Sequence, residues 1–436
     1  MMANVRRRSA CMETSDMASA RTGRGSRAGK GADYSGAGAQ GPERSPAETV
    51  TRRRRARESF LSAGRYPLQA GTGRDRMYIV MVGEEGGRAN ELQLALHDFG
   101  LDWNVSWHTG TGEALTIPAD RRIDVIVTDM QIGAVQGAHL LEQVRTLHPE
   151  AARILLLDRG HGTDAMQALD VAHRFLRKPL DASELIEAVE SVQELRDLLT
   201  NPTLVQTIGR VGSLPPPPKL YMELERLMQD PDVGATEIAT LISQDPAVVA
   251  KVLRLCNSAY FSSGRAITDM RTAVTRLGTR ILQRLVLTSE ALGAGTMTPA
   301  EREAMQERAV RTSRLAGQLL SGPSAELAAT AALLAEVGKL LPGVSRGGPD
   351  DTGPHYAEAG AYLLGLWGLP MPIVEAVAYH HRPGAVRMSG FWVPGAVHVA
   401  CALVSGLPLD DEYLRATFQI ERLPEWRERA EALANE

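Results

Sequence analysis

A chain of 436 residues, 44% hydrophobic and 23% charged, has the composition of a globular protein with two or three domains. No run approaches the roughly 18 to 20 uncharged apolar residues of a membrane span, and Arg6–Arg8 is not followed by the apolar stretch of a signal peptide. The sequence therefore predicts a cytoplasmic protein without membrane contacts. Three cysteines, Cys11, Cys256 and Cys401, are too few for a disulfide framework or a thiolate metal site.

The first 76 residues differ in charge from the rest of the chain. They contain 16 Lys/Arg and 7 Asp/Glu, a net charge of +9, whereas the remainder sums to −13. Rich in Gly, Ser, Ala and Arg without a hydrophobic period, residues 1–76 are predicted to be a disordered basic tail. The Arg52–Arg55 run could bind nucleic acid or an anionic surface, but a solvated tail is favoured because no aromatic platform or folded scaffold accompanies it. A natural start at Met77 is an open alternative.

Residues 77–200 alternate short apolar runs with amphipathic helices. The predicted strands are Tyr78–Val82, Trp103–Trp107, Ile123–Thr128, Arg153–Leu157 and His173–Leu176. Five such βα units predict a parallel sheet with helices on both faces, and the site of such a fold lies at the carboxyl ends of the strands. The candidates there are Glu84 and Glu85 after the first strand, Asp129 after the third and Lys178 after the fifth. A final helix, Ala182–Leu199, is expected to pack on its own sheet, with dimerisation through it as the alternative.

Two runs carry a resemblance to a known family. The run Asp124–Met130, with Gly137 after it, and the run Phe175–Pro179 resemble the receiver domain of two-component response regulators. The resemblance implies a flavodoxin-like, five-stranded parallel fold. It also implies a sensor histidine kinase as the partner that supplies a phosphoryl group.

The same resemblance assigns roles to individual residues. It makes Asp129 the phosphoacceptor, Lys178 the lysine that contacts the phosphate and Phe175 the aromatic switch residue. It further implies Mg²⁺ held by Glu84 and Asp129. This chemistry suits phosphoryl transfer to a carboxylate, which requires positioning and the neutralisation of oxygen charge by a metal and an ammonium group.

The sequence departs from this family at several positions. Gly83 stands at the first acidic position and Glu84 at the second, Leu157 is aligned with the switch hydroxyl, and Gly133 replaces a proline in the loop after Asp129. Two interpretations therefore stay open. Either Asp129 is phosphorylated, or the domain is a pseudo-receiver that serves in docking or dimerisation.

From about residue 203 to 405 the pattern is helical throughout. The prolines Pro215–Pro218 favour an extended entry. Asp245 is predicted to cap a helix that begins at Pro246, Thr268 to cap a later one and Gly278 to end it. The sequence predicts an all-helical domain here and a C-terminal helical tail over residues 406–436.

The helical stretch resembles the HDOD family, whose members are helical relatives of the HD metal-dependent phosphohydrolases and serve as output modules of signalling proteins. The runs that carry the resemblance are Leu214–Pro218, Ile242–Pro246, Leu253–Leu255, Asn257–Phe261, Ala273–Val274 and Leu277–Gly278. The resemblance implies a signalling role through binding of an unidentified protein partner.

Enzyme activity is judged from the position of the HD metal ligands. Ala335 and Glu336 stand where the HD families have His-Asp, while Glu336, His355, His380 and His381 form a candidate relic of a metal site. Because the dyad is missing, we expect no catalysis. The predicted function is a two-component response regulator whose receiver-like input controls a non-catalytic HDOD output module. The alternatives are a phosphohydrolase acting on a cyclic dinucleotide and a nucleic-acid-associated regulator using the basic tail.

Overall fold

The computed structural model describes residues 77–83, 89–118, 121–158, 168, 170–211, 223–224, 226–228, 233–258, 266–279, 281–282, 285, 297–347, 353–386 and 390–435. The described residues all belong to one unit, Asp75–Glu436. The predicted disordered tail, residues 1–76 with its Arg52–Arg55 run, lies outside the described residues.

A parallel sheet forms the first part of this unit, here called the sheet part (residues 77–199). Its strands are β1 Tyr78–Val82, β2 Asn104–His108, β3 Val125–Asp129, β4 Ala152–Leu157 and β5 Arg174–Arg177. They lie in the order β2-β1-β3-β4-β5, and every adjacent pair is parallel. This order is that of a flavodoxin-like doubly wound sheet, so the predicted fold class is confirmed. Strand β5 lies at the edge of the sheet.

Helices cover the sheet. They are α1 Ala89–Asp98, α2 Thr111–Leu115, α3 Gly137–Leu147 and α4 Ala182–Leu198. Strands β1, β3 and β4 are buried at every position, as expected for parallel strands with both faces covered. The Asp181 side chain caps α4 by accepting a hydrogen bond from the Ser183 N–H at 2.8 Å. The apolar stripe of α4 is buried within the chain, but not against its own sheet alone, because Leu195 also lies against Gly365.

The remainder, here called the helical part (residues 202–435), contains helices joined by turns. The helices are α5 Pro202–Gly209, α6 Ala235–Ile242, α7 Pro246–Asn257, α8 Met270–Leu277, α9 Pro299–Leu319, α10 Pro323–Leu334, α11 Tyr356–Leu366, α12 Met371–Tyr379, α13 Val393–Ser405, α14 Asp411–Ala416 and α15 Leu423–Ala434. Short 3₁₀ turns cover Val337–Leu340, Pro383–Ala385 and Ile420–Arg422. Among the residues the structure describes from Pro202 onward, no strand occurs, which confirms the all-helical prediction.

The capping predictions are confirmed at two positions and wrong at one. Asp245 accepts a hydrogen bond from the Val248 N–H at 2.9 Å at the start of α7, and Gly278 ends α8 with φ +75°. The cap of α8 is Asp269 rather than Thr268, and it accepts from the Thr272 N–H at 2.7 Å. A carboxylate at the position next to the helix competes successfully with the hydroxyl one residue earlier. The predicted Pro215–Pro218 entry and residues 259–261 of the HDOD-like run lie outside the described residues.

The C-terminal helices belong to the helical core. Trp426 on α15 is fully buried and stacks on Phe391 with ring centroids 5.2 Å apart. Arg429, also on α15, donates to the Gln318 carbonyl of α9 at 2.8 Å. The segment predicted as a C-terminal helical tail is therefore helical and packs against the preceding helices.

Candidate phosphoryl-acceptor site

Asp129 and Lys178 meet at the carboxyl edge of the sheet. Asp129 is the last residue of β3 and Lys178 follows β5, and their Oδ2 and Nζ atoms lie 2.9 Å apart. Only 4% of the Asp129 surface is exposed. The Lys178–Pro179 peptide bond is cis. The structure thus brings together the two residues that the sequence analysis placed at this edge, as an ammonium–carboxylate pair.

Gly83 leaves the space that the Asp129 carboxylate occupies. A Cβ built at Gly83 would overlap this carboxylate and lie 2.6 Å from its Cγ atom. The Trp107 indole donates to the Gly83 carbonyl at 3.2 Å and helps fix this turn. A side chain at position 83 would displace the Asp129 carboxylate. Glycine here therefore both leaves out the carboxylate of the family pattern and makes room for Asp129.

The Mg²⁺ site predicted at Glu84 and Asp129 is described only in part. Glu84 and Glu85 lie outside the described residues. Across the described ranges, no group of three or more His, Cys, Asp or Glu residues is arranged to hold a metal ion. Asp129 supplies one carboxylate, and Mg²⁺ prefers oxygen ligands of this kind. Because the second predicted ligand, Glu84, is outside the described residues, binding of Mg²⁺ stays a prediction.

A small cavity of about 90 Å³ opens beside Asp129. Its walls are mainly apolar and include Leu92, Trp107, Leu156 and Leu180. Besides Asp129, the described lining contains one other carboxylate, Glu91. Asp129, which borders the cavity, is paired with the Lys178 ammonium.

The strand register shows which residues at the end of β4 share a face of the sheet with Asp129. Asp129 pairs with Leu156, while Leu157 pairs with Arg177. Successive side chains of a strand point to opposite faces, so Leu157 faces away from the side of the sheet that carries Asp129. It lies on the same face of β4 as Leu155, which pairs with Phe175, the predicted switch aromatic. Neither Leu157 nor the exposed Asp158 after it carries a hydroxyl.

Two glycines shape the loop after Asp129. Gly133 has φ +56°, in the left-handed region that favours glycine, and turns a short hairpin between Gln131–Ile132 and Val135–Gln136. Gly137 begins α3, where a Cβ would collide with the Asp129 carbonyl oxygen. The glycine that departs from the family's proline is thus the residue that forms this turn.

Phe175 lies on β5 and reaches the helical part. It is 1% exposed. The guanidinium carbon of Arg254, on α7, lies 5.8 Å from its ring centroid and 4.6 Å from the ring centroid of Trp367. The predicted switch residue is therefore close to a buried cation from the other part of the chain, a contact that the sequence analysis missed.

An arginine from each part donates hydrogen bonds to backbone carbonyls of the other part. Arg174 of β5 donates to the carbonyls of Gly365 at 2.7 Å and Leu366 at 3.0 Å, and Arg254 donates to the carbonyl of Ala172. Burial lowers the pKa of Arg174 to about 10 and that of Arg254 to about 9. Both groups are still cations at neutral pH, held by backbone carbonyls.

Helix α4 is packed closely against α11. A Cβ at Gly365 would lie 2.5 Å from Leu195 Cδ1, and the Tyr379 hydroxyl donates to the Leu198 carbonyl at 3.0 Å. Glycine at position 365 allows the two helices to approach at this point. The last helix of the sheet part therefore forms a direct contact with the helical part.

The second candidate site surrounds Glu336. The Glu336 carboxylate accepts hydrogen bonds from Arg308, with Nη2 at 3.1 Å and Nε at 3.3 Å, and from Lys339. Lys339 Nζ also lies 4.5 Å from the ring centroid of Tyr356. The carboxylate proposed as a replacement ligand is thus held by two cationic side chains.

The three histidines predicted as a metal-site relic do come together. The Tyr356 hydroxyl lies 2.6 Å from His381 Nε2 and 3.2 Å from His380 Nε2, while the rings of His355 and His381 have centroids 5.4 Å apart. His355 caps α11 by accepting from the Ala357 N–H. Burial lowers the pKa of His380 to about 3 and that of His381 to about 4, so both rings are neutral at pH 7.

A cavity between these groups is small. Its described lining includes Glu336, Tyr356, His380 and His381. The centre of a water molecule can occupy about 10 Å³ of it, which is room for about one water. In this conformation the space does not admit a nucleotide.

Two family matches divide the chain as the fold does. Residues 79–190 match the Response regulator receiver domain family, and residues 214–343 match the HDOD domain family. The HDOD match ends before His355, His380 and His381.

Two curated proteins are similar over part of their length. An uncharacterized protein of Treponema pallidum (strain Nichols) is 31% identical over 202 residues, which cover 40% of this chain and 38% of that protein. The transcriptional regulatory protein ZraR of Escherichia coli O157:H7 is 23% identical over 234 residues, 52% of this chain and 50% of that protein. The chain thus spans half or less of the length of these relatives.

Solved structures also align with the chain. The MmoQ response regulator of Methylococcus capsulatus str. Bath is 19% identical, with a TM-score of 0.39, over 49% of this chain and 98% of that one. An HDOD domain protein of Geobacter sulfurreducens is 19% identical, with a TM-score of 0.26, over 55% of this chain and 99% of that one.

None of the helices in the described ranges combines the length and apolar character needed to cross a membrane. The parallel sheet corresponds to the receiver match, and the helices that follow it contain the HDOD match. We therefore conclude that the chain carries a response regulator receiver domain followed by an HDOD domain.

Proposed function

We propose that Asp129 accepts a phosphoryl group and that this event controls binding of a partner protein by the HDOD domain. The observation that carries the proposal is the 2.9 Å pair between Lys178 Nζ and Asp129 Oδ2 at the carboxyl edge of the sheet. Strand β5, which ends next to Lys178, also bonds directly to the HDOD domain through Arg174. A change at Asp129 therefore has a short covalent and hydrogen-bonded path to the output domain.

The chemistry requires little more than charge and position. A phosphoryl group on Asp129 adds anionic oxygens, and the Lys178 ammonium is placed to neutralise one of them. Mg²⁺ bound by Asp129 and Glu84 would supply further neutralisation of the phosphoryl oxygens. Lys178 holds the acceptor carboxylate in place before transfer.

We propose a sensor histidine kinase as the phosphoryl donor and the cytoplasm as the compartment. Asp129 borders a cavity beside the sheet edge, which gives a donor group an approach to the carboxylate. Cys256 and Cys401 are free and buried, a state compatible with a reducing compartment.

For the HDOD domain, we propose partner binding without catalysis. The support is the state of Glu336, whose carboxylate is engaged by Arg308 and Lys339, and the cavity beside it, which has room for about one water. A hydrolytic site generally requires several ligands free to bind a metal that activates water.

The experiment treats the full chain with phosphoramidate and Mg²⁺ and measures its intact mass. The proposal predicts the gain of one phosphoryl group in the wild type and none in Asp129→Asn. Proteins that co-purify with the phosphorylated and unphosphorylated chains are then compared, with Asp129→Asn as the control. An unmodified wild type would leave the pseudo-receiver interpretation as the better one, and identical co-purifying proteins would contradict control of the partner.

A further inference from the structure

Arg254 is a buried cation of the HDOD domain that touches the receiver domain. It is 2% exposed. Its guanidinium carbon lies 4.6 Å from the Trp367 ring centroid and 5.8 Å from that of Phe175. Phe175 belongs to the receiver domain and Trp367 to the helical part that follows it, so this single side chain contacts an aromatic residue from each.

Arg254 forms no ion pair among the described residues. No carboxylate oxygen there lies within salt-bridge distance of it, although the charge of Asp170 raises its pKa against the effect of burial, and its Nε finds no hydrogen-bond acceptor. Its Nη2 donates to the carbonyl of Ala172, three residues before Phe175. A cation buried with one carbonyl, two aromatic rings and a more distant carboxylate depends strongly on where those groups lie, because little water is present to replace them.

A second arginine fixes the neighbouring residues on both sides. Arg174 precedes Phe175, and its guanidinium donates to Gly365 and Leu366, next to Trp367. The residues next to both aromatic rings are therefore hydrogen-bonded to each other across the boundary between the two parts. A displacement of β5 would change the surroundings of Arg254 at both Ala172 and Phe175.

Lys178, which pairs with Asp129, lies three residues after Phe175 on the same stretch of chain. We propose that Arg254 couples the two domains, so that the position of Phe175 on β5 controls the stability of α7 in the HDOD domain. The inference rests on the proposed function for its trigger, modification of Asp129. The contact itself exists in the unmodified chain and can be tested without a phosphodonor.

The first test uses hydrogen–deuterium exchange in the full chain without a phosphodonor. Phe175→Leu should raise exchange in α7 relative to α13 by roughly threefold or more, the scale of a lost cation–π contact. In an Arg254→Lys background the same change should have little effect on that ratio. Arg271→Lys, at an exposed position of α8, is the matched control and should keep the wild-type response.

Trp367→Leu gives a second route if Arg254→Lys does not fold, since it removes the ring and keeps the cation. It should likewise weaken the response of α7 to Phe175→Leu. If Phe175→Leu alone leaves exchange in α7 relative to α13 unchanged, the proposal is overturned. It is also overturned if Phe175→Leu raises this ratio equally in the wild type and in the Arg254→Lys background, or equally in the wild type and in the Trp367→Leu background where that variant is used.

The second test adds phosphoramidate and Mg²⁺ and follows intact mass and exchange together. The wild type should gain a phosphoryl group and change its exchange in α7, whereas Arg254→Lys should gain the same mass without that change. Equal changes in α7 in both proteins would contradict the coupling. A wild type without the added mass would count against the proposed function alone, and the first test would then decide on Arg254.

Discussion

Gly83→Ala tests whether the position of Asp129 depends on the absence of a side chain at residue 83. The added Cβ would overlap the Asp129 carboxylate and lie 2.6 Å from Cγ, so the carboxylate has to move. Since Oδ2 is held by Lys178 at 2.9 Å, the movement breaks or weakens this ion pair. We expect Gly83→Ala to lower both the free energy of unfolding and the rate of phosphorylation.

The magnitude follows from the burial of the pair. The side chains of Asp129 and Lys178 are 6% and 18% exposed, between the exposed pairs worth about 0–1 kcal/mol and the buried pairs whose disruption costs about 3–5 kcal/mol. A loss of about 1–3 kcal/mol is therefore expected, similar to the cost of overpacking. If about 1.4 kcal/mol of this is lost from the transition state, phosphorylation slows by about tenfold.

Urea unfolding and the rate of mass gain with phosphoramidate measure the two effects. Gly112→Ala is the matched control, because Gly112 lies in α2 and a Cβ there meets no atom within 4 Å. That variant should be unchanged or more stable by about 0.5–1 kcal/mol. A Gly83→Ala protein within about 0.5 kcal/mol of the wild type, and phosphorylated at the same rate, would refute this account of Gly83.

Three further predictions concern the helical part. The pKa of His380 falls from 6.5 to about 3 in the folded chain, so between these values the unfolded state binds the additional proton. The free energy of unfolding should thus drop as pH falls from 7 to 4, and a pH series of urea unfolding should show a shallower slope for His380→Gln. Gly365→Ala should destabilise the chain by about 1–3 kcal/mol through its collision with Leu195, and an unchanged urea midpoint would contradict this. Purified protein with Mn²⁺ should not turn over a cyclic dinucleotide, because Glu336 is held by cations; measurable product absent from a Glu336→Gln control would show otherwise.

The meeting of Asp129 and Lys178 could be predicted from the sequence because the carboxyl ends of parallel strands share one edge. Short apolar runs and their turns were enough to order β3 and β5 in the chain. The face of the sheet to which each residue of β4 points could not be predicted, since a shift of one residue moves a strand's side chains to the other face. Hydrophobic residues on both faces of β4 left no alternation that could fix the phase.

The contacts between the two domains had no signal in the sequence. Arg174 and Arg254 donate to backbone carbonyls, which every residue carries, so residue types gave no indication of the partners. The histidines were identified as a group from their resemblance to metal ligands. Their actual neighbours, Tyr356 and the Val377 carbonyl bonded to His380, depend on how α11 and α12 pack.

The most direct test of the central claim is the site of modification in the intact chain. After treatment with phosphoramidate and Mg²⁺, peptide mapping should locate a single phosphoryl group at Asp129, with a slower gain in Lys178→Met. A wild-type chain that stays unmodified, or is modified equally well in Asp129→Asn, would contradict the claim that this carboxylate receives the signal.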